Sequence, residues 1–115
     1  MSFTVHVILV ASVLIGEAGG EHNPVRAMQA VREVIHNRAI AQNEPEWKIV
    51  LAKHQFSCVD YEQPYKLVEK AQHHPLWFKA LQMAEVPPAT DWTHGADHYY
   101  APKLCPMPYW EECWD

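Results

Sequence analysis

An almost unbroken apolar run extends from Val5 to Ile15. Its Val and Ile content favours a strand, whereas its length favours a helix. We predict a helix from about Phe3 to Ala18, and such a helix would be apolar all round and therefore central to the core. Gly19 and Gly20 are expected to end it, because glycine tolerates the left-handed conformation of a C-terminal cap.

The next segment carries the clearest helical pattern in the chain. Asn23 is a good N-cap and Pro24 suits the first helical position, so a helix is predicted to begin there and to fade near Gln42 and Asn43. Apolar side chains then recur at helical spacing, at Val25, Met28, Val31, Ile35 and Ala39. Polar side chains lie largely off that stripe, at Arg26, Gln29, Arg32 and Glu33.

Shorter helices are predicted over Pro45–Lys53, Pro64–Gln72 and Leu76–Glu85. The expected inward side chains are Trp47, Val50 and Leu51 in the first of these helices and Leu76, Phe78, Leu81 and Met83 in the last. Pro87 and Pro88 end the last helix, since proline supplies no backbone donor. The stretch Thr90–Tyr100 is predicted to be irregular or a hairpin. We find neither a repeat nor a linker, so residues 1–115 are expected to form one mostly helical domain.

Composition and charge narrow the range of functions. Hydrophobic residues make up 49% and charged residues 20%, which is typical of a globular protein. A formal charge of −5 argues against a nucleic-acid partner, which a basic surface would bind. The run Val5–Ile15 is too short to span a bilayer and no Lys or Arg precedes it. We therefore expect a buried element of the fold rather than a signal peptide, and no stable membrane insertion.

Cysteine and histidine residues are the candidates for a metal site or a nucleophile. The three cysteines include no C-x-x-C pair, and Cys105 and Cys113 could instead form a disulfide. His94, Asp97 and His98 are close in sequence, but the chain has no His-Glu-x-x-His motif. The sequence therefore predicts no metal and no cofactor. A zinc hydrolase at this cluster and a thiol peptidase using Cys58 with a histidine are alternative hypotheses.

Glu17 is the strongest candidate for acid chemistry. It ends the apolar run, where apolar surroundings and the negative end of the helix dipole both favour the protonated carboxyl group. A glycosidase acid requires this property near neutral pH. The alternative is an ordinary solvated glutamate at a helix end. Glu21 is too close in sequence to stand across a bound sugar, so it is expected to orient substrate or to cap the helix that begins at Pro24.

Four ordered blocks of residues resemble a known family. They are Glu17-Ala18-x-Gly-Glu21, His36-Asn37-Arg38, Gln55-Phe56-Ser57 and Gly95-Ala96-x-His98-Tyr99-Tyr100. Together they resemble the SleB-type cell wall hydrolases, and the resemblance runs from about Val7 to Trp110. It departs from the family at Gly19, where a basic residue is usual, at Thr93-His94-Gly95, where Thr-Gly-Gly is frequent, and in lacking a wall-binding repeat.

The resemblance implies a compact, mostly α domain of the α+β lysozyme-like kind, related to lytic transglycosylases. It further implies that Glu17 is the catalytic acid and that peptidoglycan glycan strands are cut between N-acetylmuramic acid and N-acetylglucosamine. The expected substrate contacts are Glu21, Gln55, Ser57, His98, Tyr99 and Tyr100. Tyrosine rings suit this role because sugar faces pack on aromatic rings and phenol groups bond to sugar hydroxyls.

One carboxyl group is enough if the muramic acid 6-hydroxyl replaces water as the nucleophile. This favours a lytic transglycosylase, with a hydrolytic muramidase as one alternative and a non-catalytic wall-binding or virion structural module as another. Because the sequence shows no evident signal peptide, we expect the protein to be made in the cytoplasm and to act at the bacterial cell wall after release. A phage endolysin would fit that route.

Overall fold

The computed structural model describes residues 4–52 and 56–86. Five helices account for most of them: α1 (Val5–Ala18), α2 (Pro24–Gln42), α3 (Glu46–Leu51), α4 (Tyr65–Ala71) and α5 (Trp77–Glu85). Neither described range contains a strand. The predicted mostly helical class is therefore confirmed for this part of the chain, and the stretch Thr90–Tyr100 lies outside it.

Helix α1 is the centre of the fold, as its pattern predicts. The Thr4 hydroxyl oxygen accepts a hydrogen bond from the Val7 N–H at 3.2 Å and caps the helix. Every residue from Leu9 to Ile15 is buried, and α1 packs against each of the other four helices. The one polar side chain in that stretch is Ser12. Its hydroxyl donates to the Leu9 carbonyl at 2.7 Å, so the buried hydroxyl has a hydrogen-bond partner.

The end of α1 differs from the prediction. Gly19 has right-handed dihedrals, φ −63° and ψ −23°, so the left-handed cap expected at this glycine is wrong. Its N–H donates to the Ile15 carbonyl at 2.8 Å, and the Glu21 N–H donates to the Ala18 carbonyl at 3.1 Å. At Gly19 the backbone thus stays right-handed as the chain leaves the helix.

Helix α2 begins and ends where the sequence indicates. The Asn23 side chain accepts from the Arg26 N–H at 3.4 Å, and Asn43 ends the helix in the left-handed region at φ 52° and ψ 46°. Of the predicted inward stripe, Val25 is half-buried and the others are buried: Met28, Val31, Ile35 and Ala39. Arg32 and Glu33 are also buried, which their place off that stripe did not predict. The reason is that α1, α3 and α5 all pack against α2 and cover more than one face.

Arg32 joins three helices. Its Nε donates to the Met83 carbonyl and its Nη2 to the Val86 carbonyl, both at 2.9 Å, at the C-terminal end of α5. Its guanidinium also forms an ion pair with Glu46 in the first turn of α3. Burial lowers the pKa of Arg32, and the Glu46 carboxylate acts in the opposite direction.

Helices α3, α4 and α5 confirm the predicted elements within one or two residues at most ends. In α3, Ile49 and Val50 are buried, while Trp47 is half-buried and its ring stacks on His6 with centroids 4.8 Å apart. The prediction that Phe78 adds apolar surface to the core is wrong, because its side chain is 73% exposed. Ala80, Leu81 and Ala84 form the buried face of α5 instead.

Among the described helices, none combines the length and the apolar character needed to cross a membrane.

Candidate functional site

Glu17 is the second-last residue of α1, at the C-terminal end of the central helix. The residue is half-buried, and its Oε1 atom has less than 1 Å² of exposed surface. One of its two carboxyl oxygens is therefore withdrawn from water. Withdrawal from water and the adjoining C-terminal dipole both disfavour a negative charge at this position.

The segment that leads into α4 approaches the face of α1 next to Glu17, although Gly16 itself is exposed. A Cβ atom placed on Gly16 would lie 2.8 Å from Cys58 Sγ and 3.0 Å from Leu67 Cδ1, which is too close for an alanine without a shift of these side chains. Glycine at this position therefore allows the 58–67 segment to approach the helix backbone directly. The approach brings that segment to the residue immediately before Glu17.

The second and third family-like blocks meet in space. Phe56 is buried, and the Arg38 guanidinium carbon lies 5.1 Å from the centre of its ring. Cys58, two residues later, lies against Gly16. Arg38 of the second block thus packs on Phe56 of the third, and Cys58, the residue after the third block, lies against the α1 residue that precedes Glu17. Ser57, which lies between Phe56 and Cys58 in sequence, is exposed to solvent.

Glu21 follows in the connection between α1 and α2 and is half-buried. Its N–H bond to the Ala18 carbonyl closes a turn over residues 18–21, which directly follows Glu17. The side-chain cap of α2 is supplied by Asn23. Glu21 thus remains a candidate for orienting substrate on the side of the sugar that Glu17 would approach.

The other predicted substrate contacts lie outside the described residues: Gln55, His98, Tyr99 and Tyr100. The same holds for His94 and Asp97 of the alternative zinc site and for Cys105 and Cys113. Within residues 4–52 and 56–86, no group of three or more His, Cys, Asp or Glu side chains is placed to hold a metal ion.

His74 is a site residue that sequence reasoning missed. Its Nε2 lies 3.1 Å from the carbonyl oxygen of Gly19, two residues after Glu17. The sequence around His74 gives no sign of this contact, because a local pattern cannot indicate a partner 55 residues away. The following Pro75 was the available signal that His74 belongs to a turn rather than to a helix.

A separate opening lies toward the other end of α1. Its volume is about 190 Å³, and its lining includes His6, Trp47, Glu46 and Val10. Val10 precedes Glu17 by seven residues, which is about 10 Å along a helix axis. The opening is therefore distinct from the surroundings of Glu17.

No family model, curated protein or solved structure matches this chain. The function proposed below consequently depends on the residues around Glu17 and on the ordered blocks of the sequence.

Proposed function

We propose that this protein cleaves peptidoglycan glycan strands between N-acetylmuramic acid and N-acetylglucosamine, with Glu17 as the catalytic acid. The observation that carries the proposal is the burial of Glu17 Oε1 at the C-terminal end of the central helix. Withdrawal of a carboxyl oxygen from water is one effect that favours the protonated form. General acid catalysis of glycosidic cleavage needs that proton at the moment the bond breaks.

The convergence of the blocks supports the same function. Arg38 packs on Phe56, and Cys58 lies against Gly16, the residue before Glu17, although all three are distant from Glu17 in sequence. Ser57 is exposed within this group and can present its hydroxyl to a sugar. Binding through a surface of defined shape would suit a chain whose net negative charge gives no attraction to an anionic wall.

We favour a lytic transglycosylase mechanism. Glu17 donates its proton to the glycosidic oxygen, and the bond from muramic acid C1 to that oxygen breaks with the electron pair leaving on oxygen. The muramic acid 6-hydroxyl then bonds to C1, and its proton passes to the Glu17 carboxylate, which restores the acid. The products are a 1,6-anhydromuramic end and a free 4-hydroxyl on N-acetylglucosamine.

The position of Glu21 favours this route over hydrolysis. An inverting hydrolase needs a second carboxylate roughly 6.5 to 9.5 Å away, on the opposite face of the sugar. Glu21 lies in the turn that directly follows Glu17, so it is poorly placed to hold water on that face. A nucleophile within the substrate gains a high effective concentration instead and needs no second protein carboxylate.

The route to the wall is part of the proposal. We propose synthesis in the cytoplasm and action on the wall after release, as for a phage endolysin that passes through membrane holes.

The test is digestion of purified peptidoglycan followed by mass spectrometry of the products in oxygen-18 water. We expect anhydromuramic ends, which are one water lighter than hydrolytic ends and carry no label. Reducing muramic acid with incorporated oxygen-18 would refute the transglycosylase mechanism, and intact glycan strands would refute cleavage altogether.

The role of Glu17 is tested with Glu17→Gln, which is nearly isosteric but cannot transfer the proton. Turnover should fall by at least about 100-fold while the fold is kept. Glu85→Gln is the matched control, because Glu85 also ends a helix but is exposed. Near-normal turnover in a folded Glu17→Gln protein would contradict the assignment.

A further inference from the structure

His74 lies in the turn between α4 and α5, and the turn holds it firmly. Its backbone N–H donates to the Ala71 carbonyl and its carbonyl accepts from the Trp77 N–H, both at 3.0 Å. Its Nδ1 accepts from the Leu76 N–H, also at 3.0 Å. His74 is therefore held by its backbone N–H, by its carbonyl and by one of its two ring nitrogens.

The hydrogen bonds define which ring nitrogen carries the proton. Nδ1 accepts from Leu76, so in the neutral ring the proton is on Nε2. Nε2 then donates to the Gly19 carbonyl oxygen at 3.1 Å. Both ring nitrogens are used in complementary roles, which links the α4–α5 turn to the end of α1.

The end of α1 needs such a link. The last carbonyl groups of a helix have no partner within the helix, and they attract donors. Gly19 and Gly20 are the residues with the greatest backbone freedom, so the segment after Glu17 would readily fray. Glycine at 19 also leaves room for the ring, because an added Cβ would lie 3.1 Å from His74 Nε2 and 2.7 Å from the Ile15 carbonyl oxygen.

We propose that His74 is a positioning residue, which holds the Glu17-bearing end of α1 through its Nε2–H bond to the Gly19 carbonyl. The inference rests on the proposed function for its effect on turnover. It assigns His74 no contact with substrate and no proton transfer. Its role is to keep the last turn of α1 closed, so that the Glu17 carboxyl group approaches the scissile bond in one orientation.

Two conservative variants distinguish the hydrogen bond made by Nε2 from the one made by Nδ1. His74→Gln places an amide N–H near the position of Nε2 and can keep the bond to Gly19, but it loses the acceptor for Leu76. His74→Asn places its oxygen near the position of Nδ1 and can keep the bond to Leu76, but it loses the donor to Gly19. A role in general stability would make the two variants behave alike.

We expect His74→Asn to lower kcat by about 10-fold to 100-fold, as small misplacements of a catalytic group do, with KM within about twofold. His74→Gln should keep kcat within about threefold, because one neutral hydrogen bond away from Glu17 is lost. Equal kcat in the two variants at equal thermal stability would overturn the proposal. So would a change confined to KM.

Amide hydrogen exchange supplies a measurement that is independent of turnover. The Gly19 and Glu21 N–H groups bond within the last turn of α1, so in His74→Asn they should exchange about 5-fold to 10-fold faster, as loss of one hydrogen bond implies. In His74→Gln they should exchange as in the wild type. Wild-type exchange rates in both variants would overturn the link. An inactive wild-type protein would refute the proposed cleavage, whereas the exchange rates would still support or refute the role of His74.

Discussion

Replacing Arg32 by methionine should destabilise the fold far more than an ordinary loss of surface charge. Methionine keeps much of the apolar stem but removes the guanidinium, which bonds to the Met83 and Val86 carbonyls and pairs with Glu46. A hydrogen bond from a charged donor is worth about 1.5 to 3 kcal/mol, so the two carbonyl bonds together represent about 3 to 6 kcal/mol.

The expected loss lies in the lower half of that range. Val86 is exposed, so water can replace the lost donor at its carbonyl. The Glu46 side chain is 26% exposed and keeps His36 Nδ1 at 3.6 Å, so it is not left as a fully buried lone charge. We therefore expect Arg32→Met to lower the free energy of unfolding by about 3 to 4 kcal/mol.

Urea unfolding measures this loss as a lower midpoint with an unchanged slope. Lys48→Met is the matched control, because Lys48 pairs with Glu44 at 3.5 Å on the surface and such pairs are worth about 0.5 kcal/mol or less. A loss below about 1 kcal/mol for Arg32→Met, or one equal to that of Lys48→Met, would refute the reasoning that Arg32 joins three helices.

Two further substitutions test the helix ends. Asn43→Ala should cost about 1 kcal/mol, because alanine is strained at φ 52°, whereas Asn43→Gly should be neutral or stabilising; equal urea midpoints for the two would contradict a left-handed Asn43. Gly16→Ala should lower the melting temperature although alanine favours helix by about 1 kcal/mol, since its Cβ meets Cys58 Sγ. The loss should shrink in a Cys58→Ala background, and additive effects in this double-mutant cycle would argue against the contact.

Local signals were enough to predict the helices. Asn23 and Pro24 are a start signal whose chemistry is independent of the rest of the fold, and the structure begins α2 at Pro24. The run Val5–Ile15 lacks a polar face, so a helix over it can bury all of its apolar surface only at the centre of the core. Such patterns are properties of a single segment, and a sequence shows them directly.

Errors arose where a second element decides the outcome. Arg32 and Glu33 lie off the main apolar stripe of α2, yet they are buried because α3 and α5 also cover that helix. The apolar ring of Phe78 predicts a place in the core, but Phe78 lies on the exposed side of α5. Ala80 and Leu81 form the side that faces the core. Periodicity identifies one buried face and gives no count of the neighbours that will cover the others.

The same limit applies to the candidate site. The place of Glu17 at the end of a buried helix could be predicted from the run that precedes it. The contact of His74 with Gly19 could not, because it depends on how the α4–α5 turn packs against α1. The Cys58 contact with Gly16 is of the same kind, since only the folded chain brings these residues together.

The enclosure of α1 by four later helices has a consequence for biosynthesis. A ribosome adds roughly 5 to 20 residues per second, so α5 emerges several seconds after α1. During that interval the nascent chain carries an apolar helix whose partners are incomplete, and such a segment is a natural substrate for holdase chaperones. The contacts of α1 with α5 close a loop that contains α2, α3 and α4, so this helical protein should fold more slowly than a bundle of sequential hairpins.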